Sequence, residues 1–177
     1  MNKGKIILLN GVSSSGKTSL SKVLVEKLPH FFHFSLDEFD HIIEKMEDRQ
    51  NGRLIPIATE TFYHRNIAMF SDNGVNLIVD HVLHNYQTLD DCLRTLTGYP
   101  VLFVGVHCPQ KELERRETFR GDRLIGQALN QASFVHKQNE PYHIEVNTYT
   151  DSLEQCANQI ITFLINHDSL SSGIGDK

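Results

Sequence analysis

Cysteine is scarce in this chain: Cys92, Cys108 and Cys156 are its three, far apart and without a C-x-x-C pair. That spacing suggests neither a disulfide framework nor a zinc site. No metal-site pattern gathers the ten histidines either, although His30/His33 and His81/His84 form pairs; they read as surface or packing residues. Basic residues are outnumbered, 17 Lys and Arg against 22 Asp and Glu, and the resulting charge of −5 speaks against a broad nucleic-acid surface. Long apolar runs are missing. Ile6 to Leu9 is too short for a signal peptide, and no stretch approaches membrane-spanning length, so a reducing cytoplasm is the expected setting. Neither an internal repeat nor a domain-scale linker divides the 177 residues. One domain over residues 1–167 is expected, followed by a mobile Ser- and Gly-rich tail, 168–177.

What is present begins at once. Gly11-Val-Ser-Ser-Ser-Gly-Lys-Thr18 fills every fixed position of G-x-x-x-x-G-K-[ST], the phosphate-binding P-loop. An apolar strand-length segment, Lys5 to Asn10, precedes it. A helical stripe of Leu20, Val23, Leu24 and Leu28 follows. Gly11 and Gly16 allow backbone conformations that let successive N–H groups turn toward phosphate oxygens. The candidate phosphate cradle is therefore Gly11, Val12, Ser13, Ser14, Ser15, Gly16, Lys17, Thr18 and Ser19, with the helix start adding its positive dipole end. Lys17 supplies a cation for the β- and γ-phosphates of ATP, and the Thr18 hydroxyl is placed to ligate Mg²⁺.

Pattern along the rest of the chain alternates strand and helix. Phe31 to Ser35 reads as a second strand, ending at Leu36-Asp37, where open α/β sheets bind ligands. Phe39 to Met46 is helical, opened by Asp37, Glu38 and Asp40; those acids also suit a helix start. Glu47 to Pro56 reads as an exposed loop and Thr59 to Asn73 as a helix. Val75 to Asp80 is an apolar strand ending in an acid, a Walker-B-like carboxylate near Mg²⁺. Tyr86 to Leu96 is a helix and Val101 to His107 an apolar strand, as expected when helices cover both faces of a parallel sheet. Gln127 to Gln138 reads as a helix, Tyr142 to Val146 as a fifth strand and Ser152 to Ile165 as a last helix. Together these elements predict an α/β P-loop kinase fold: a five-stranded parallel sheet flanked by helices on both faces.

Between the fourth strand and the helix at Gln127 lie Arg115, Arg116, Arg120 and Arg123. Such a cluster suits a solvated helix face with Glu112, Glu114 and Glu117 as partners. Following the fourth strand of a P-loop protein, it also suits an arginine-bearing lid, about 116–126, because the guanidinium fork pairs with phosphate oxygens. A nucleotide-dependent switch is the rival reading. The chain has no Asn-Lys-x-Asp guanine-reading motif, and a switch needs no arginine lid.

The residues also carry a family likeness. Ile7 to Thr18, Phe34-Ser-Leu-Asp37, Leu77-Ile-Val-Asp-His-Val82, Val104-Gly-Val-His-Cys108, Arg116-Glu-Thr-Phe-Arg-Gly-Asp-Arg123 with Gly126, Val135-His136, Tyr142 to Thr148 and Glu154 to Ala157 match the pattern. On these stretches the chain resembles the chloramphenicol phosphotransferase family of small P-loop kinases over most of its length. The resemblance implies an ATP-dependent kinase of a small-molecule hydroxyl, with a chloramphenicol-like antibiotic as the first candidate acceptor. A sugar, a nucleoside or the nucleotide sugar of zeta-toxin-like kinases are alternatives on the same scaffold. It also implies that Asp37 is the general base and that Arg120 and Arg123 are phosphate- and nucleotide-side arginines. Two departures stand out: Asp40 to Val75, which helps line the family's acceptor pocket, is shorter here, and Asn147 stands where an aspartate is expected.

Overall fold

A computed structural model describes residues 2–120 and 126–167, the side chain of Arg120 excepted. Five strands, β1 (Ile6–Asn10), β2 (Phe31–Ser35), β3 (Asn76–His81), β4 (Val101–His107) and β5 (Ile144–Asn147), form one sheet in the order β2-β3-β1-β4-β5. Every pairing is parallel. Side chains alternate across the sheet, so each buried strand feeds two cores. Ile6, Leu8, Leu77, Val79, Val101 and Phe103 face α3 (Thr59–Asp72) and α4 (Tyr86–Leu96), meeting Tyr63, Ile67, Leu89, Cys92 and Leu96. Ile7, Leu9, Ile78, Leu102, Val104 and Val106 face α1 (Lys17–Lys27) and α7 (Leu153–Asn166), meeting Leu20, Leu24, Cys156, Ile160 and Leu164.

The remaining helices frame the carboxyl ends of the strands. They are α2 (Leu36–Met46), α5 (Gln110–Arg120) and α6 (Gln127–Gln131). A third, small core of Val12, Leu113, Ala128 and Val135 seats α5 and α6 against the loop after β1. That loop leaves the sheet where its order reverses, between β3 and β4, the place where open α/β sheets form a ligand crevice.

Several boundaries differ from the sequence pattern for identifiable reasons. Strand β2 ends at Ser35, and Leu36 already opens α2, so Asp37 stands in a helix's first turn instead of ending a strand. The helix expected to reach Gln138 stops at Gln131. His136 and Asn139 adopt left-handed backbone (φ 68° and 55°), and Glu140 accepts from the N–H groups of His136 and Gln138. Tyr142 and His143 fall outside β5, because the His143 ring nitrogen takes the Phe103 N–H that a strand carbonyl would take. The loop 47–56 contains a short 3₁₀ turn, Arg49–Asn51, closed by an Asp48–Arg53 bridge.

Candidate active site

The P-loop is built by exclusion of side chains on one flank and by capping chemistry left undone on the other. A Cβ on Gly11 would meet the Val106 carbonyl oxygen at 2.5 Å, so strand β4 leaves room only for glycine. Gly16 caps α1 with φ 98°, a left-handed conformation that penalises other residues. No side chain caps α1. Contrast α4, capped by Asn85, and α7, closed by a Ser152–Gln155 capping box. The first N–H groups of α1 are thus kept for another partner, and with the helix dipole they favour an anion.

Ser13, Ser14, Gly16, Lys17, Thr18 and Ser19 line a cleft of about 150 Å³ together with Asp37, Asp80, His81, His84 and Gln131. Gly11, Val12 and Ser15 support the loop from behind; Val12 points into the third core. The hydroxyls of Ser13, Ser14 and Ser15 are buried and have no hydrogen-bond partner among the described residues. Buried hydroxyls are rarely left so, and a phosphate group with several acceptor oxygens would satisfy them. The Lys17 ammonium, itself buried, donates to the carbonyls of Gly11 (2.8 Å) and Val12 (2.9 Å). On the other flank of the loop, Ser14, Gly16, Ser19, Arg116, Phe119 and Thr148 line a second cleft of about 330 Å³.

Asp80 reaches the cleft from the end of β3. Its Oδ2 accepts from the Thr18 hydroxyl at 2.6 Å, and the His33 ring lies 3.8 Å away. Burial works to raise this carboxyl, but His33, Lys17 and Thr18 outweigh it and hold the group below the ordinary carboxylate range. A hydroxyl and an ionised carboxylate in contact are hard oxygen donors that suit Mg²⁺. Behind them the buried Tyr63 hydroxyl donates to the Phe34 carbonyl at 2.6 Å and ties β2 to the same corner. Asp37 enters from α2 and is exposed to the cleft. Asp40, the next acid along that helix, accepts from Arg49 and Thr59 and does not line the cleft.

The arginine segment divides in the structure. Arg115 and Arg116 both pair with Glu112. Arg116 also donates to the Ser14 and Thr148 carbonyls, linking α5 to the P-loop and to the turn after β5. Arg123 and the Arg120 side chain lie outside the described residues, as do positions 121–125 of the expected lid and the expected tail, 168–177.

Other residues tied to the site gave little sign in the pattern. Glu117, buried, accepts from the N–H groups of Gly126 (2.9 Å) and Ala128 (2.7 Å), pinning α6 to α5. Its signal was the Arg-Glu-Thr block itself. Gln131 reaches from α6 to accept the Ser13 N–H at 2.6 Å. Asn10, at the end of β1, accepts from the Leu83 N–H and donates to the Tyr142 hydroxyl, joining the two halves of the sheet edge. His136 meets the same hydroxyl at 2.8 Å; burial, His107 and Lys17 lower its pKa to about 4.

A parallel sheet in this order, with a nucleotide loop at its switch point and two carboxylates across from it, defines a P-loop kinase, an enzyme that phosphorylates hydroxyl groups. The model of the chloramphenicol phosphotransferase-like protein family matches residues 4–165, and the chain belongs to that family. Two strains of Mycobacterium tuberculosis carry a relative named "Putative O-phosphotransferase", 31% identical over 90% of this chain and 82% of the relative. Among solved structures, the Deinococcus radiodurans tunicamycin resistance protein superposes with TM-score 0.69 at 20% identity, covering 90% of this chain and 95% of that one. The Mycobacterium tuberculosis APS kinase in complex with AMPPNP and APS gives 0.67 at 17%, covering 93% and 99%. At such identities the two structures speak for the fold alone. Among the described residues, no helix is long and apolar enough to cross a membrane.

Proposed function

We propose that this chain transfers the γ-phosphoryl group of ATP, with Mg²⁺, to a hydroxyl of a small molecule that lacks a strongly anionic group. The observation that carries the reading is that Asp37 and Asp80 share one cleft with the P-loop. The P-loop amides, the seryl hydroxyls and Lys17 would hold the phosphates, and the nucleoside would lie toward the Arg116–Phe119–Thr148 cleft. Thr18 and Asp80 would hold Mg²⁺, which neutralises charge on the phosphate oxygens when bound. Asp37 orients the acceptor hydroxyl and takes its proton. Arg120 and Arg123, which the family resemblance makes phosphate- and nucleotide-side arginines, would stabilise the transferring phosphoryl. An ATP-consuming reaction fits the cytoplasm.

Acceptor class follows from charge. Lys17 is the one Lys or Arg among the described residues lining the cleft, and it faces the loop; the acids there are Asp37 and Asp80. A sulfate- or carboxylate-bearing acceptor would meet like charge on that wall, whereas a neutral hydroxyl compound of the chloramphenicol type would not. The test offers the purified protein ATP and Mg²⁺ with a panel of neutral and anionic alcohols, chloramphenicol included. Gain of one phosphoryl mass by a neutral acceptor, absent with Lys17→Ala, is the expected result. Phosphorylation of anionic acceptors alone would overturn the assignment of class.

A further inference from the structure

Beside the cleft runs a chain of side chains that the reaction itself does not use. Asp91, on α4, meets the Nδ1 of His64 on α3 at 2.6 Å. The Nε2 of His64 meets the Nε2 of His81 at 2.7 Å, and the His81 Nδ1 meets the Val82 N–H at 2.8 Å. His64 is fully buried and His81 very nearly so. Arg65 forks on both oxygens of Asp91, its NH2 donating to Oδ1 at 2.8 Å and its NH1 to Oδ2 at 3.0 Å. The hydrogen positions follow by elimination. A backbone N–H only donates, so His81 Nδ1 carries no proton and the His81 proton sits on Nε2. His64 Nε2 must then accept, which places the His64 proton on Nδ1, facing the carboxylate. Every donor meets an acceptor, and the order has one direction.

His81 itself cannot serve as base or ligand, because both ring nitrogens are engaged. Its neighbours can. Asp80 precedes it, and Val82 and His84, which follow, line the same cleft. We propose that Asp91 and His64 are positioning residues for phosphotransfer: through His81 they fix the end of β3 that presents Asp80 and the adjoining cleft wall. This rests on the assignment of Asp80 to the phosphate and metal side. Helices α3 and α4 cover one face of the sheet, so the same chain ties the packing of that face to the end of β3. Partners of this kind, one shell behind the reacting groups, typically change activity by about 10–100-fold when altered.

The experiment uses Asp91→Ala, with Asp91→Asn beside it. The alanine variant leaves the His64 Nδ1–H without its acceptor, so the proton order of the two rings is no longer fixed. The asparagine carbonyl, placed where Oδ2 was, still accepts from His64 and from the Arg65 NH1. Expected for Asp91→Ala are altered tautomers of both rings in ¹H–¹⁵N imidazole correlation spectra. With them should come a fall in kcat of about 10–100-fold with the KM for ATP changed little. Asp91→Asn should keep the wild-type tautomers and most of the rate; a merely structural role predicts a loss of rate that does not follow the tautomers. A folded Asp91→Ala protein with wild-type kcat overturns the proposal, while an active Lys17→Ala protein would instead overturn the P-loop reading beneath it. Should Asp91→Ala not fold, the wild-type spectrum decides: a His64 proton on Nε2 overturns the proposal, and one on Nδ1 with a His81 proton on Nε2 supports it.

Discussion

The P-loop side of the cleft lies inside the molecule, whereas α2, which brings Asp37 to the cleft, is mostly surface. Gly11 through Ser15 and Lys17 are buried, backed by β4, by the third core and by the main core beneath α1. On α2 Asp37 and Glu38 are exposed, and along that helix and the segment after it Ile42, Met46, Leu54 and Ile57 show roughly half or more of their surface to solvent. The difference separates two tasks. Phosphate recognition depends on N–H groups held by packing, so it tolerates little motion. If Asp37 meets the acceptor, its recognition falls to a thinner element whose side chains can change without disturbing the sheet.

Substitutions on the two walls should therefore fail in different ways. Asp37→Asn, on the open wall, should lower kcat by about 10²–10⁴-fold while calorimetric ATP binding stays near wild type. If Asp37 only stabilises a helix start, the change should be almost silent, since asparagine caps as well as aspartate. Lys17→Ala, on the buried wall, should cost about 10²–10³-fold and weaken ATP binding as well. Stability should invert that order. Leu9→Ala, which empties part of the core under the loop, should cost about 2–5 kcal/mol in denaturant melts. Met46→Lys, on α2, should stay within about 0.5 kcal/mol. A large loss for Met46→Lys would mean that the open wall is covered.

The smallest effect expected is one of pH. His64, His81 and His136 all have folded pKa values below the ordinary imidazole value, burial being the first cause in each. The unfolded chain then binds more protons, so stability is fully present above about pH 6.5 and falls as pH drops toward the folded values. For His136 that window closes near pH 4. Thermal melts should show Tm decreasing from pH 7 to 4.5, with His136→Asn flattening part of the slope. A Tm that rises on acidification would contradict the buried neutral state of these rings.

Strands and P-loop were legible because they rest on local rules. The runs Ile6 to Asn10 and Val101 to His107 are apolar on both faces, and a glycine loop before a helix has few other readings. Asp80 was legible as a candidate for a similar reason, since it closes an apolar strand, and it lines the cleft. Asp37 was located correctly along the chain but assigned to the wrong element, because Leu36 continues the strand's apolar character while starting a helix. Long-range partners were not legible at all. His64 and Asp91 lie 27 residues apart, Asn10 and Tyr142 lie 132 apart, and no periodicity connects such pairs. Only the superposition of α3, α4 and the sheet edge brings them together.

Gln131 gives the P-loop a built-in competitor. Its side-chain carbonyl rests on the Ser13 N–H, tethered there by a helix that Glu117 pins in place. An intramolecular ligand of this kind acts at a high effective concentration. A small anion that reaches only this edge of the loop must displace it and gains one hydrogen bond in exchange for another. A triphosphate would also reach the first N–H groups of α1, the Lys17 ammonium and three seryl hydroxyls, so its surplus of contacts would win the exchange. The amide thus works as a threshold, turning a loop that would attract any anion into one that responds to the length of a phosphate chain.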